Sequence, residues 1–218
     1  RRHTRSLCDW SSDVCSSDLM FKYAQGPLYD WLEPQRGAGD CGHGSPIHFL
    51  EKCGYLEGNL LAVHVNYIDR HDPAILAKYE VSVAHCPRSH DYFAHQRFPR
   101  AELSAAGVNL CLGTDSLAST LKEKGAPPKL DMFAEMRTLA QSRGALAPSN
   151  ILEMATINGA KALGLNGKAG ELAKDAWADL STIPYSGSAA GAAEAVVHNE
   201  RGIAASMIGG QWAVEPKS

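Results

Sequence analysis

Three short apolar runs recur in the middle of this chain: residues 60–65 (LLAVHV), 81–85 (VSVAH) and 108–112 (VNLCL). Each reads as a buried strand. Helix-like stretches separate them. Asp72-Pro73 opens the first with an N-cap and a first-turn proline, and Ile75, Leu76 and Tyr79 form its apolar face. Pro99 opens the second and Gly107 stops it. Continuous apolar strands alternating with helices argue for a parallel sheet covered on both faces.

Each run delivers a polar side chain at or just past its C-terminal end. These are His64, His85 and, two residues beyond Gly113, Asp115. In a parallel barrel such ends lie side by side at one mouth, where α/β folds keep their chemistry. Taken singly, each has a plainer reading. Asp115 can cap the next turn, and a histidine in an apolar strand is commonly a satisfied core residue. Three such residues in register favour function, because imidazole and carboxylate are the ligand set of a catalytic zinc or similar metal.

Composition narrows the partners. With 44% hydrophobic residues, the chain can bury a sizeable core, and its net charge is −3 with both signs scattered. There is no basic stripe, so neither nucleic acid nor an anionic membrane is expected as a partner. No apolar stretch approaches the roughly 20 residues of a membrane span, and no export signal opens the chain. Cys41, Cys53, Cys86 and Cys111 are irregularly spaced, as in reduced thiols, so a cytoplasmic location is expected. No GxGxxG or P-loop pattern offers a nucleotide-cofactor site.

The chain divides into three parts. Residues 1–19 have no helical or strand period and contain Ser-Ser-Asp twice, as a disordered polar tail does. Residues 8–19 (CDWSSDVCSSDL) also resemble the in-frame translation of a sequencing adapter. On that reading the tail is an artefact, and natural sequence upstream of Met20 is missing. Residues 20–166 hold the strand–helix units. Residues 20–32 suggest two helices broken at Gly26-Pro27, and 33–45 a loop. A short helix starts at Pro46, with Ile47, Phe49 and Leu50 on one side. A loop is expected over 88–98 and another over 117–129, where Lys122, Glu123 and Lys124 mark either a substrate lid or a solvated connection. Helices are expected over 130–141, with Leu130, Phe133 and Met136 recurring, and over 148–155 and 158–163. Residues 167–218 form a separate β unit, with short strands at 177–183, 195–198, 203–208 and 211–214 and a hairpin turn at Gly209-Gly210.

Six segments in series, 61–64 (LAVH), 83–89 (VAHCPRS), 112–116 (LGTDS), 130–136 (LDMFAEM), 154–163 (MATINGAKAL) and 170–180 (GELAKDAWADL), resemble the amidohydrolase superfamily. They are similar to its aminohydrolase branch: adenosylhomocysteine, methylthioadenosine and aminofutalosine deaminases, and guanine or triazine hydrolases. The resemblance implies an α/β fold, the C-terminal part of a metal-dependent (β/α)8 TIM barrel plus strands of a small composite β-sandwich. It implies that His64, His85 and Asp115 end barrel strands six, seven and eight. Asp115 would bind one divalent metal, zinc being the expected ion, and take the proton of the attacking water. His64 would contact the water or substrate, or act as a second metal ligand. His85, Arg88, Ser89, His90 and Ser116 would line the substrate pocket; at His90 the family usually has Asn.

The resemblance also implies a His-x-His pair on strand one and a His on strand five, and this chain has neither. His43 and His48 lie in a Gly-rich loop and a helix, not at strand ends. Weak zinc binding and an inactive fragment are therefore expected here. The parent protein would be a metal-dependent hydrolase deaminating a purine nucleoside or related small heterocycle, and a homo-oligomer is allowed. Two alternatives stay open: a chlorotriazine- or amide-type hydrolase of the same superfamily, and a non-catalytic, barrel-derived binding module.

Overall fold

A computed structural model of the protein describes residues 16–120, 127–142, 144 and 146–216. Lys122, Glu123 and Lys124 of the 117–129 loop lie outside the described residues, as do residues 1–15 of the tail. In chain order the elements are α1 (Ser16–Tyr23), α2 (Pro27–Arg36), α3 (Pro46–Lys52), β1 (Leu61–Val63), α4 (Asp72–Lys78), β2 (Ser82–His85), α5 (Pro87–Tyr92), α6 (Arg100–Ala105) and β3 (Leu110–Leu112). They continue with α7 (Met132–Gln141), α8 (Pro148–Ala155), α9 (Ile157–Ala162), β4 (Leu180–Thr182), α10 (Ala192–Val197), β5 (Ala205–Ile208) and β6 (Gln211–Val214). The described residues form two compact units, those of 16–83 with 90–109 and those of 84–89 with 110–216.

In the first unit, Ser82 N bonds to Leu60 O and Val83 N to Asn109 O. Leu76, Val81, Val83 and Leu103 are its most buried apolar side chains. Helix starts follow local chemistry: Ser45 caps α3 by accepting from His48 N at 3.1 Å. Gly107 closes α6 with φ 82°, a conformation that costs glycine nothing. Asp72 does not cap its own helix as expected; His71 takes that position. The Asp72 carboxylate, 1% exposed, instead accepts from Ser45 Oγ at 2.5 Å and Asp69 N at 2.7 Å, and burial raises its pKa above the usual carboxylate range.

Strand β2 runs on into the second unit, where Gly113 N bonds to His85 O. Residue 83 pairs with 109 and residue 85 with 113, so β2 and β3 advance together as a parallel pair. The three strands lie in the order β1-β2-β3. In the second unit Leu110, Cys111, Leu112, Met136, Leu139, Ile151 and Met154 are buried. Asp131 caps α7, accepting from Phe133 N at 2.9 Å and Ala134 N at 3.3 Å. β4, β5 and β6 form an antiparallel sheet in that order, and Gly209-Gly210 turns the β5–β6 hairpin with positive φ at both residues.

Three local expectations are corrected. Residues 195–198 are not a strand: an Ala-rich start, Ala192 to Ala195, favours helix α10, and Glu194 reaches His198 one turn on at 3.2 Å. The 88–98 stretch opens with a short helix, α5, because Pro87 fits a first helical turn. The buried face of α7 is Glu135, Met136 and Leu139, while Leu130 is left exposed.

Candidate active site

In the second unit the β3 strand end carries Asp115. Its backbone is left-handed, φ 51°, a conformation to which Asp is better suited than most residues. The turn presents the carboxylate to solvent, where two hydroxyls hold it. Ser89 Oγ donates to Asp115 Oδ2 at 2.6 Å and Ser119 Oγ to the same oxygen at 2.7 Å. Ser116 stays at the surface and starts the short turn Leu117–Ser119, its Oγ 3.3 Å from Ser119 Oγ. Ser89 itself is 2% exposed. The structure thus brings together Ser89, Asp115 and Ser116 of the sequence-derived set and adds Ser119.

Behind Ser89 stands a second carboxylate. Glu135 is fully buried and its Oε2 accepts from Arg88 N at 2.9 Å. Arg88 Nη1 donates to Lys129 O at 2.9 Å and lies 3.8 Å from Glu135 Oε1. Burial pushes the Glu135 carboxyl up to about 7, against the lowering by the Arg88 N–H and charge. The Arg88 guanidinium is therefore spent on internal contacts that fix helix α5, which carries Ser89. His85 is buried at the end of β2. Next to it, burial raises the Cys86 thiol to about 12, so it is a packed neutral side chain, not a nucleophile.

In the first unit the β1 strand end carries His64. His64 and Val65 both take left-handed backbone, φ 72° and 47°. For a β-branched valine this is strained, and such strain gathers where a loop is held for function. Beyond the turn, Asn66 Oδ1 lies 3.0 Å from His90 Nδ1, and Tyr67 Oη 3.3 Å from His95 Nδ1. The His90 and His95 rings are 5.5 Å apart. Burial lowers the pKa of both imidazoles below the ordinary histidine value.

Glu135, Ser119, Asn66, Tyr67 and His95 were missed in the sequence. Glu135 had a signal: a carboxylate at i+3 from Met132 and i+4 from Asp131, on the side of α7 that also carries Met136 and Leu139. Ser119 had a weaker one, a Ser three residues after Ser116. The Asn66–His90 and Tyr67–His95 pairs depend on contacts 24 and 28 residues apart and leave no local pattern.

The sequence pattern of the Amidohydrolase family matches residues 34–213. The chain belongs to the amidohydrolase family. It is 38% identical over 146 residues to a 5-methylthioadenosine/S-adenosylhomocysteine deaminase of Moorella thermoacetica, covering 64% of this chain and 32% of that one. It is 40% identical over 146 residues to a 5'-deoxyadenosine deaminase of Methanoregula boonei, covering 63% and 31%. An adenosine deaminase of Xanthomonas campestris, solved with bound zinc, superposes with a TM-score of 0.63 at 27% identity over 85% of this chain and 42% of that one. A guanine deaminase of E. coli superposes at 0.65 with 19% identity over 87% and 45%, a likeness of fold. The chain thus spans about a third of the length of the curated relatives it matches. Its fold is part of the family's α/β barrel.

A catalytic zinc takes three protein ligands and keeps a fourth position open. Among the described residues no group of three His, Cys, Asp or Glu side chains is placed to hold a metal. Asp115 can supply one carboxylate oxygen, but the described residues do not make a complete metal site by themselves. No described helix is long and apolar enough to cross a membrane.

Proposed function

We propose that this chain is the strand-six-to-eight part of a metal-dependent amidohydrolase that releases ammonia from an adenosine-type nucleoside. The observation that carries this reading is Asp115, a strand-end carboxylate oriented by two hydroxyls, in a segment similar to adenosine-type deaminases. Asp115 takes a proton from the water that adds to the amino-bearing ring carbon. It then passes that proton to the departing amine, so water's oxygen stays on the ring and ammonia leaves. Ser89 and Ser119 keep the accepting carboxylate in one orientation through both transfers. Asp115 and His64 are assigned to the metal, zinc by analogy with the Xanthomonas relative, with the remaining ligands outside this chain. His85, Ser116 and His90 are assigned to the substrate. Arg88 is assigned there indirectly, through Ser89. The reading includes a cytoplasmic enzyme and allows a homo-oligomer.

A chimera tests it. The 146-residue segment of the Moorella deaminase aligned with this chain is replaced by this chain's own, and the product is offered methylthioadenosine, 5'-deoxyadenosine, guanine and a chlorotriazine. Ammonia from the two adenine nucleosides supports the proposal. Turnover of the chlorotriazine or guanine alone moves the assignment to another branch of the family.

A further inference from the structure

Two carboxyls reach the first turn of α5 within the second unit. Glu135 Oε2, from α7, accepts from Arg88 N at 2.9 Å. Asp115 Oδ2, beyond the end of β3, accepts from Ser89 Oγ at 2.6 Å. Arg88 and Ser89 are consecutive in one helical turn, so a short, stiff piece of backbone links the two carboxyls. After burial and Asp131, the charge of Asp115 also raises the Glu135 carboxyl, so the two groups sense each other.

Packing alone does not account for a carboxyl at position 135. Helix α7 turns Glu135, Met136 and Leu139 inward, and Glu135 is 0% exposed. Its Oε1 has no hydrogen-bond partner and lies 3.8 Å from Arg88 Nη1. A buried carboxyl bonded this incompletely costs stability that a methionine or leucine would not. What Glu135 adds over such a side chain is an acceptor for the Arg88 N–H, a bond that joins α7 to α5 across 47 residues. Ser89 is buried, so its hydroxyl goes where the α5 backbone puts it. Its contact with Asp115 has little slack: a displacement of roughly 1 Å carries the hydroxyl out of hydrogen-bond range.

We infer that Glu135 is a positioning residue of the candidate active site: by holding the Arg88 backbone it sets the Ser89 hydroxyl and, through it, the Asp115 carboxylate. The inference rests on the deaminase reading for the chemistry and on these hydrogen bonds for the positioning.

Two substitutions separate this role from packing. Glu135→Gln keeps an oxygen for the Arg88 N–H, and Glu135→Met fills the space without one; Glu135→Leu replaces the latter if it does not fold. In the 218-residue chain the Ser89 rotamer is read from its Hα–Hβ couplings. It should be single in the native protein and in Glu135→Gln, and averaged in a Glu135→Met protein of unchanged circular dichroism. In the chimera with the Moorella deaminase, Glu135→Met should lower kcat for methylthioadenosine by about tenfold or more with KM little changed. Glu135→Gln should recover most of that loss. Ser89→Ala should cost as much as Glu135→Met, and the two together no more than either. A Ser89 rotamer still fixed in Glu135→Met, an amide that recovers nothing, or kcat losses that multiply in the double variant overturn the positioning role and leave the deaminase reading standing. If the unsubstituted chimera releases no ammonia, the deaminase reading falls, and the rotamer alone then upholds or overturns the role of Glu135.

Discussion

Ser89 Oγ lies 2.6 Å from Asp115 Oδ2, the oxygen that Ser119 Oγ also reaches at 2.7 Å. One hydroxyl comes from helix α5 after β2 and the other from the short turn after β3. Hydrogen bonds to a charged acceptor are short and stronger than neutral ones. Two of them from different elements hold the carboxylate in place, and they tie the segments after β2 and β3 together.

Removing either hydroxyl therefore costs stability as well as orientation. Ser89→Ala and Ser119→Ala are each expected to lower the unfolding free energy by about 1 kcal/mol in denaturant titrations. The double substitution should cost more than the sum, because in each single variant the remaining hydroxyl still bonds the shared oxygen. Additive losses would mean that the two hydroxyls act independently.

Glu135 gives the protein a pH dependence of known sign. Its ordinary value is 4.5 and burial in the folded protein raises it to about 7. Between those values the unfolded chain has lost the proton and the folded one keeps it, so stability falls as pH rises through the window. The fall attributable to Glu135 is on the order of 3 kcal/mol, read as the difference between the native protein and Glu135→Gln from pH 4.5 to 7.5. His90 and His95, with lowered values, act in the opposite direction and cancel in that difference. A flat difference would show that Glu135 is ionised throughout.

Gly113 is fixed by packing against the thiol beside it. A Cβ at this position would stand 3.1 Å from Cys86 Sγ and 3.9 Å from Ala84 Cβ. Gly113→Ala is expected to lose about 1–2 kcal/mol by overpacking. In the Cys86→Ala background that loss should shrink to near zero, since the crowding atom is gone. An undiminished loss would place the strain in the backbone instead.

The strand ends were legible because each apolar run is short and its polar terminus unmistakable: His64, His85 and Asp115 all stand at or beyond the ends of β1, β2 and β3. The Gly209-Gly210 hairpin was legible for a similar reason, its turn chemistry being local. What failed was local pattern overruled by context. Val196 and Val197 suggested a strand, but the alanines before them and the burial of Val197 favour a helix. Asp72 had the form of an N-cap, yet a long-range bond from Ser45 takes its carboxylate. Glu135 was hidden because its partner, the backbone of Arg88, lies 47 residues away. Arg88 looked like a substrate contact by position, and its side-chain bonds to Lys129 O and Glu135 could be seen only in three dimensions.

The central claim is that Asp115 accepts the proton of the attacking water. In the chimera with the Moorella deaminase, Asp115→Asn keeps the size and the hydroxyl contacts of the side chain but removes its basicity. Steady-state ammonia release from methylthioadenosine should fall by about 10²-fold or more in kcat, with the melting temperature little changed. A folded Asp115→Asn protein that retains its rate would contradict the account.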